Sequence, residues 1–227
     1  MHTLSFAHLV VLILLWSIAA TTPLAQPLAF ESLDGPEAIF VESLLVTASG
    51  DVLVGSRGAV SPAFRSSDGG ATWTPIAGLP NDVHVAMEPL ASGDVLVATR
   101  SQVLRSTDGG TTWSPTSAGV SFGTTFDMAS DGVDRLYTAS SSLGVIRSVD
   151  GGATWAAATA GLDTLRTSAV AVGANGDVVV AGRGGRIHRS VDGGDTWTPI
   201  YDGHPDTFVW DVLPAASGRV FSATQDG

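Results

Sequence analysis

The chain has 227 residues and a formal net charge of −11 at neutral pH, and all of its basic residues are arginine. An excess of acid this large repels the phosphates of nucleic acids and of anionic membranes, so both are poor partners. Apolar residues make up 44% of the chain, enough for a packed core, and the absence of cysteine excludes disulfides, thiolate nucleophiles and cysteine metal clusters.

The first 25 residues resemble an export signal. An uncharged, mainly apolar run of twelve residues extends from Leu9 to Ala20, too short to cross about 30 Å of hydrocarbon as a helix. Small residues at Ser17 and Ala19 suit cleavage, although the leading residues carry no lysine or arginine, so an uncleaved membrane anchor is the alternative. We therefore predict a signal peptide over 1–25, a folded domain over 26–227, and a secreted, periplasmic or cell-surface protein.

A motif of eight residues recurs four times in the rest of the chain. It reads SSDGGATW at 66–73, STDGGTTW at 106–113, SVDGGATW at 148–155 and SVDGGDTW at 190–197. Its acids are separated by 40, 42 and 42 residues. A second repeated segment, GDVLVATR at 93–100 in one unit, precedes each copy of the motif. The repeating unit is therefore about 42 residues long.

Each unit contains four short runs with β-strand character. In the fourth unit they are TSAVAV, DVVVAG, RIHRS and TWTPI, separated by the turn-forming segments GANG, RGG and VDGGD. An apolar period near 3.6, which a helical repeat needs, is absent. Four antiparallel strands in about 42 residues indicate a propeller blade. The sequence thus predicts an all-β propeller, its strands lettered A to D from the centre outward.

The number of units predicts four full blades plus a partial fifth. The segment GRVFSATQ at 218–225 matches the second strand of a fifth unit, and no further motif follows it. We expect either a fragment of a larger propeller or an open ring with an exposed edge. A five-blade ring that closes imperfectly is the alternative.

The repeated motif falls at the turn between the third and fourth strands. Aspartate accepts hydrogen bonds from amides two or three residues on, paired glycines permit positive φ, and tryptophan covers the edge of the blade. We therefore expect structural roles for the acids Asp68, Asp108, Asp150 and Asp192 and for the tryptophans Trp73, Trp113, Trp155 and Trp197. The arginine before each motif is also expected to be structural, at Arg65, Arg105, Arg147 and Arg189.

The pattern S-x-D-x-G-x-T-W resembles the Asp-box, also called the bacterial neuraminidase repeat, and matches in all four copies. With the strands between the motifs, the resemblance covers residues 30–227. Asp-box repeats occur in sialidases, xyloglucan endoglucanases, sortilin-like receptors and a photosystem II assembly factor family, so the resemblance implies a fold more than an activity. It also implies that the Asp-box is a structural turn away from the binding face. Further acids at alternating positions are missing, which argues against a calcium loop.

A ligand is expected at the opposite end of the blades, where the B–C loops and D–A connections lie. The B–C loops differ in length between units, and variable loops on a rigid scaffold usually carry function. Three of these loops begin at Arg57, Arg100 and Arg183, which predicts a partial ring of guanidinium groups suited to a carboxylate, sulfate or phosphate. The alternative is that duplication copied a residue that pairs with acids.

Polar residues on or near the inner strands are further candidates, namely Glu42, His84, Glu88, Asp127 and Asp211. Two carboxyl groups here would suit a glycosidase, whereas solvation is the alternative for each. His84 has no partner at ligand spacing, so no metal and no cofactor are expected. Trp210 is interpreted as an exception, because the matching positions of the other units are taken to hold small or aliphatic residues. It is therefore a candidate to line the channel, with packing as the alternative.

The enzyme hypotheses fit the sequence less well than a binding hypothesis. Resemblance to sialidases would imply an early Phe-Arg-Ile-Pro segment, which is missing, and a tyrosine nucleophile, whereas Tyr137 and Tyr201 lie in or after predicted strands. Xyloglucan hydrolases have two full propellers, for which the chain is too short. We predict a secreted, non-catalytic binding or scaffold propeller that takes a protein or carbohydrate ligand at the B–C loops. A sialidase-like or endoglucanase-like glycoside hydrolase is the alternative.

Overall fold

The computed structural model describes residues 40–57, 63–80, 84–116, 122–203 and 207–225. Their secondary structure consists of β-strands and turns. In these ranges no helix has the length and apolar character needed to cross a membrane. The expected signal peptide over 1–25 lies outside the described residues.

Four antiparallel sheets of four strands each follow one another along the chain, and a two-stranded sheet comes last. The first sheet contains β1 (Phe40–Val46), β2 (Val52–Arg57), β3 (Ala63–Ser66) and β4 (Thr74–Pro75). The second contains β5 (His84–Pro89), β6 (Val95–Thr99), β7 (Val103–Ser106) and β8 (Ser114–Pro115). The third contains β9 (Thr125–Ser130), β10 (Leu136–Ser140), β11 (Gly144–Ser148) and β12 (Ala156–Ala157). The fourth contains β13 (Thr167–Val172), β14 (Val178–Gly182), β15 (Ile187–Ser190) and β16 (Thr198–Tyr201), and the last sheet contains β17 (Val209–Pro214) and β18 (Val220–Thr224).

This arrangement confirms the predicted propeller, with four full blades and a partial fifth. The first strands of successive sheets, β1, β5, β9, β13 and β17, contact one another in that order, so they form the inner ring of strands. The fourth strands are short and exposed, as expected for the outer rim. In the fourth blade, the predicted run at 167–172 is β13 itself.

Apolar side chains are buried between successive blades. The layer between the second and third blades contains Leu96, Phe122 and Leu136, each fully buried, with Trp155 beside them. Trp197 is buried in the same way between the third and fourth blades. Because both faces of a blade are covered, strands such as β6 are buried along their whole length.

Each Asp-box turn is closed by the same set of hydrogen bonds. In the second copy, Ser106 Oγ donates to Asp108 Oδ1 at 2.7 Å, and the Gly110 amide donates to Ser106 Oγ at 2.8 Å. The Thr112 amide donates to Oδ1 of the acid at 2.8 Å, and its hydroxyl donates to Oδ2 at 2.7 Å. These four bonds recur in the other three copies. Both carboxylate oxygens are therefore used inside the turn.

The second glycine of the motif brings the turn against the preceding blade. Gly110 has a φ of +93°, and a Cβ at this position would lie 3.1 Å from Leu53 Cδ1 of the first blade. A side chain here would thus meet both backbone strain and a steric contact. In the fourth copy the tryptophan also bonds to the preceding blade, since Trp197 Nε1 donates to the Ala158 carbonyl at 2.8 Å.

The arginine before each of the first three Asp-boxes connects its blade to the next one. Arg65 Nη1 donates to Thr111 Oγ1 at 3.3 Å, and Arg105 Nη1 donates to the Gly151 carbonyl at 3.2 Å. Arg147 Nη1 likewise donates to the Gly193 carbonyl at 2.6 Å. Every acceptor lies in the Asp-box of the following blade, so we call this contact the arginine joint.

The ion-pair partner of the arginine joint changes in one blade. Arg65, Arg105 and Arg189 bind Asp51, Asp94 and Asp177, which stand at the start of the second strand of the same blade. The third blade has Arg135 at that position. Arg147 instead pairs with Asp195 in the Asp-box of the fourth blade, at 2.7 Å. The charge of this joint is thus balanced across the blade boundary.

Candidate binding cleft

The two ends of the blades differ in what they present to solvent. The Asp-box turns lie at the same end as the turns between the first and second strands, because the Gly151 amide donates to the Asp134 carbonyl at 2.8 Å. In antiparallel blades, the second-to-third-strand loops and the connections between blades must lie at the other end. We call this second end the loop face.

A cleft of about 700 Å³ opens at the loop face between the third and fourth blades. It is formed by the β10–β11 loop, the connection from β12 to β13, the start of the β14–β15 loop and the residue before β17. Its lining residues are Phe126, Ser141, Ser142, Asp163, Thr164, Leu165, Arg166, Thr167, Ser168, Arg183 and Phe208. Hydroxyl groups, two arginines and two phenylalanines thus share one cavity.

Aromatic rings form one wall of the cleft and continue beyond it. The rings of Phe126 and Phe208 meet edge to face with centroids 6.0 Å apart. The ring of Trp210 contacts that of Phe208 at 4.5 Å, although Trp210 itself is 63% exposed. We call these three residues the aromatic wall.

A β-bulge in each inner strand positions two members of this wall. In every inner strand the register skips one residue, and the extra residues are Glu42, Val85, Phe126, Ser168 and Trp210. A bulge re-aims the side chain of its extra residue, which here exposes Phe126 and Trp210. The interpretation that Trp210 departs from small or aliphatic equivalents is therefore wrong, because Phe126 occupies the same place in the third blade.

Two arginines lie at the edge of the cleft. Arg166 precedes β13, Arg183 follows β14, and the Arg183 amide donates to the Arg166 carbonyl at 2.9 Å. Both residues are exposed, and neither guanidinium pairs with an acid in the described part of the chain. Their charges therefore remain available to an anionic ligand.

The charge of Asp163, the acid of the cleft, is compensated by Arg186. Arg186 forms an ion pair with Asp163, and His188 Nε2 lies 3.1 Å from the second oxygen of that carboxylate. Burial lowers the pKa of His188, which is 2% exposed, so this histidine is neutral at pH 7. The cleft is thus locally positive in a protein whose overall charge is strongly negative.

A second group of ionisable residues lies on the inner strands. Asp127 Oδ1 accepts the Met128 amide at 2.8 Å, and its Oδ2 accepts the Val170 amide of the next blade at 2.9 Å. Asp211 occupies the equivalent position and accepts the Val212 amide at 2.7 Å. Asp127 therefore joins the inner strands of two blades.

Two half-buried carboxyls of the inner strands hold protons more tightly than ordinary acids. Burial, reinforced by the charge of Asp127, raises the pKa of Glu88 to about 8. Burial also raises the pKa of Asp127 to about 7, against the opposing effect of its two backbone hydrogen bonds. Glu88 is therefore protonated at pH 7, which is the state that a general acid requires.

The other site residues predicted from the sequence do not lie together in the structure. Arg183 lines the cleft, whereas Arg100 is exposed between β6 and β7 and does not line it. Arg57 is the last residue of β2, and its side chain lies outside the described set, as does that of His84. Tyr137 is 1% exposed and donates its hydroxyl to the Gly193 carbonyl at 3.0 Å. Among the described residues no cluster of histidine and acidic side chains is arranged to hold a metal.

Arg166, Phe126 and Phe208 were not among the residues predicted from the sequence. Arg166 and Phe208 stand in connections between blades, which carry no repeated pattern. One signal was present for Phe126, since it precedes Asp127 just as Trp210 precedes Asp211.

Comparison with known proteins supports the fold. Residues 104–115 match the BNR/Asp-box repeat, the family to which the four motifs were compared. No curated protein matches the chain by sequence. Solved propellers similar to it include YCF48 from Cyanidioschyzon merolae, at 20% identity and a TM-score of 0.62 over 83% of this chain and 65% of that one.

Two further structures differ in what they bind or act on. YCF48 bound to D1 peptide is 16% identical, with a TM-score of 0.62 over 82% of this chain and 61% of that one. The GH74 xyloglucanase from Xanthomonas campestris is 24% identical, with a TM-score of 0.61 over 79% of this chain and 28% of that one. The chain thus spans less than two thirds of the length of these proteins, and at such identities the likeness shows the fold alone.

Proposed function

We propose that this β-propeller, which carries BNR/Asp-box repeats, is a non-catalytic binding module whose ligand is an acidic peptide segment of another protein. The observation that carries the proposal is the joint position of Arg166 and Arg183 in one cleft with Phe126 and Phe208. Guanidinium groups bind carboxylates through paired hydrogen bonds, and aromatic rings cover the apolar parts of a peptide.

The similar structures are compatible with a peptide ligand. YCF48 was solved bound to D1 peptide, so a propeller with this blade structure can accept a peptide. The loop face also offers the hydroxyl groups of Ser141 and Ser142 to a peptide backbone. A negatively charged protein with a locally positive cleft selects ligands by charge, because the rest of its surface repels anions.

Binding of fluorescent peptides to the full-length protein tests this function. We expect a peptide of alternating acidic and aromatic residues to bind, and its Asn/Gln counterpart to bind at least ~10-fold more weakly. The double variant Arg166→Ala, Arg183→Ala is expected to lose a similar factor, and Phe208→Ala a smaller one. Raising NaCl from about 50 to about 300 mM should weaken binding, because both guanidinium groups are exposed.

The matched control is Arg219→Ala, which removes one exposed positive charge from the opposite end of the blades. An equal loss of affinity in this variant would show that overall charge, and not the cleft, determines binding. Polygalacturonate serves as the acidic glycan arm of the experiment. Binding of the glycan in preference to the acidic peptide would replace the peptide ligand with a carbohydrate.

A glycoside hydrolase is the second candidate, and one observation favours it. Glu88 and Asp127 are half-buried carboxyls on neighbouring inner strands, and Glu88 holds a proton at pH 7. Against it, both oxygens of Asp127 accept backbone hydrogen bonds, which leaves that group poorly placed as a nucleophile. We expect no turnover of fluorogenic sialosides, aryl glucosides or xyloglucan oligosaccharides. Turnover that is lost in Asp127→Asn or Glu88→Gln, with the fold intact, would establish the hydrolase instead.

We further propose that residues 1–25 direct export and are removed, so that the mature binding module acts outside the cytoplasm. The uncharged run from Leu9 to Ala20 supports this. Intact mass measurement of the exported protein checks it, with an expected N-terminus near residue 26. A full-length mass in the membrane fraction would support the uncleaved anchor.

A further inference from the structure

Three exposed valines lie at the Asp-box end of the third and fourth blades. Val133 stands in the β9–β10 turn and is 61% exposed. Val149 and Val191 follow the first serine of the third and fourth Asp-boxes and are 57% and 75% exposed. Val149 has a complete blade on either side, so the turn itself, and not a missing neighbour, exposes this position. We call these three residues the valine surface.

The turns that carry the three valines contact one another. The Gly151 amide of the third Asp-box donates to the Asp134 carbonyl of the β9–β10 turn at 2.8 Å. The Arg135 guanidinium of the same turn lies against Gly193 of the fourth Asp-box, where a Cβ would be 3.3 Å from its Cζ. The β9–β10 turn thus touches both Asp-boxes, so the valines belong to one surface.

The same positions are polar in the first two blades. Ser67 and Thr107 stand where Val149 and Val191 stand in the later Asp-boxes. In the turns between first and second strands, the place of Val133 is taken by Ser49, Ser92 and Asn175. An exposed valine contributes little to the packing of its own blade. Three of them on touching turns form an apolar patch that a partner can cover.

The valine surface has an acidic rim. Its three turns, 131–135, 148–155 and 190–197, hold one arginine and five aspartates, namely Asp131, Asp134, Asp150, Asp192 and Asp195. Of these acids, Asp195 forms an ion pair with Arg147. A partner that fits this surface therefore has an apolar centre and a basic rim.

The loop face of the same two blades offers that combination. Phe126 and Leu165 line the cleft there and are 37% and 46% exposed. Arg166 and Arg183 lie beside them, without an ion pair to any residue that the structure describes. Contact between two loop faces, or between two valine surfaces, would oppose like charges, whereas contact between one of each pairs opposite charges.

We propose that the valine surface is the docking site of a second copy of this chain, which covers it with the loop face of its third and fourth blades. Arg166 and Arg183 of that copy lie against the carboxylates of the rim. Its Phe126 and Leu165 pack on the valines. The inference rests on the proposed function, because it makes the acidic turns of a second copy the ligand of the cleft. Since the two patches differ, every added copy leaves one of each free, and the contact can repeat.

Sedimentation velocity of the exported protein and of two variants tests this contact. We expect the sedimentation coefficient of the wild type to rise beyond that of a dimer between about 5 and about 300 µM, the range in which small interfaces associate. The loop-face variant is Arg166→Glu, Arg183→Glu. The valine-surface variant is Val133→Ser, Val149→Ser, Val191→Thr, which copies residue types found in the first two blades. Each variant alone should remain monomeric.

An equimolar mixture of the two variants gives the decisive result. The loop-face variant keeps an intact valine surface, and the valine-surface variant keeps an intact loop face. The mixture should therefore form a 1:1 dimer that does not grow further. The matched control is Ser67→Ala, Thr107→Ala, at the equivalent positions of the first two Asp-boxes, and it should associate like the wild type. If the glutamate variant does not fold, Arg166→Gln, Arg183→Gln replaces it.

Binding of the acidic peptide separates this inference from the proposed function. At protein concentrations where all forms are monomeric, the valine-surface variant should bind the peptide as tightly as the wild type does. Saturating peptide should dissociate the wild-type assemblies, because it occupies the cleft. A wild type that binds the peptide but stays monomeric would overturn the inference alone. A protein that does not bind the peptide would overturn the proposed function.

Three further results would contradict the head-to-tail contact. They are association of either variant by itself, a mixture that stays monomeric, and assemblies of the mixture that grow beyond a dimer. A fluorescent peptide of alternating arginine and leucine provides the last comparison. If it binds the monomeric wild type and not the valine-surface variant, the valine surface belongs to a basic partner and not to a second copy.

Discussion

At the scale of single residues, the Asp68 carboxylate is exposed but accepts several hydrogen bonds from its own Asp-box turn. The hydroxyl and amide of Thr72, followed by the Ser66 hydroxyl, lower the pKa of Asp68 to about 2. A lowered pKa in the folded state means that the ionised acid stabilises the fold. This contribution is complete above the unfolded-state pKa of about 3.9 and is lost as the pH falls through about 2.

The stability of the variant Asp68→Asn should therefore depend less on pH in the acid range than that of the wild type. At pH 7 we expect its melting temperature to fall by about 2–4 °C, because the carboxylate bonds to Thr72 are weakened. The difference from the wild type should shrink between about pH 4 and pH 2. Thermal unfolding followed by circular dichroism measures this. The control is Asp202→Asn, an exposed acid outside the motif, and an equal effect there would rule out a special role for the turn.

The stability that Glu88 contributes should depend on pH in the opposite direction. Burial and the charge of Asp127 raise its pKa to about 8, so the protonated form is the one compatible with the fold. The stability that this group contributes is complete below the unfolded-state pKa of about 4.3 and is lost as the pH rises through about 8.

We accordingly expect Glu88→Gln to be more stable than the wild type at pH 8, by ~5 °C in melting temperature, and to differ little from it at pH 5. Glu42→Gln, at an exposed position of another inner strand, is the control. A Glu88→Gln variant whose stability falls with pH as steeply as that of the wild type would show that another group causes the loss.

At the scale of strands and turns, the arginine joint shows how neighbouring elements compensate for each other. The third blade has Arg135 where three other blades have aspartate, and the fourth Asp-box has Asp195 where the other copies have alanine or threonine. The Arg147–Asp195 pair links these two exceptions at 2.7 Å. The partner lost within one blade is thus supplied by the next.

The Arg147–Asp195 ion pair can be replaced by an ion pair within one blade, as in the other blades. Asp195→Ala should cost about 0.5 kcal/mol in the free energy of unfolding, since the acid is 65% exposed. Adding Arg135→Asp should recover this loss, because Arg147 then has a partner in its own blade, as Arg105 has in Asp94. Urea unfolding of the two single variants and the double variant measures the coupling. Additive losses would contradict the compensation.

The strands and turns could be predicted from sequence because they repeat. The cleft could not be predicted, because the connections that form it carry no repeated pattern. The four Asp-boxes were recognisable because the acid of each copy must accept the same hydrogen bonds of its turn. The apolar second strands were recognisable because both of their faces are covered. Arg166 and Phe208 lie in connections whose course depends on how two blades pack, which no periodicity encodes. The inner-strand bulge was missed because one extra residue interrupts the alternation of a strand without changing its composition.

At the scale of the whole molecule, stability is distributed over a series of similar junctions. Each apolar layer joins one blade to the next, and the clusters follow one another along the chain. Contacts that extend only to neighbouring units make the free energy of folding approximately a sum of unit and interface contributions. The proposed binding cleft contains residues of two blades and of the following connection, so we expect a ligand there to stabilise the third and fourth blades together.

The arginine joint also bears on how such a chain can lengthen. Each unit carries the donor for its successor before the Asp-box and the acceptor for its predecessor within it. A gene segment of one period, copied in tandem at a unit whose arginine pairs with an aspartate of its own blade, would therefore encode a matched interface on both sides with little further mutation. Selection could then act on the loops of the new unit alone, which makes the number of blades easier to change than the design of any one blade.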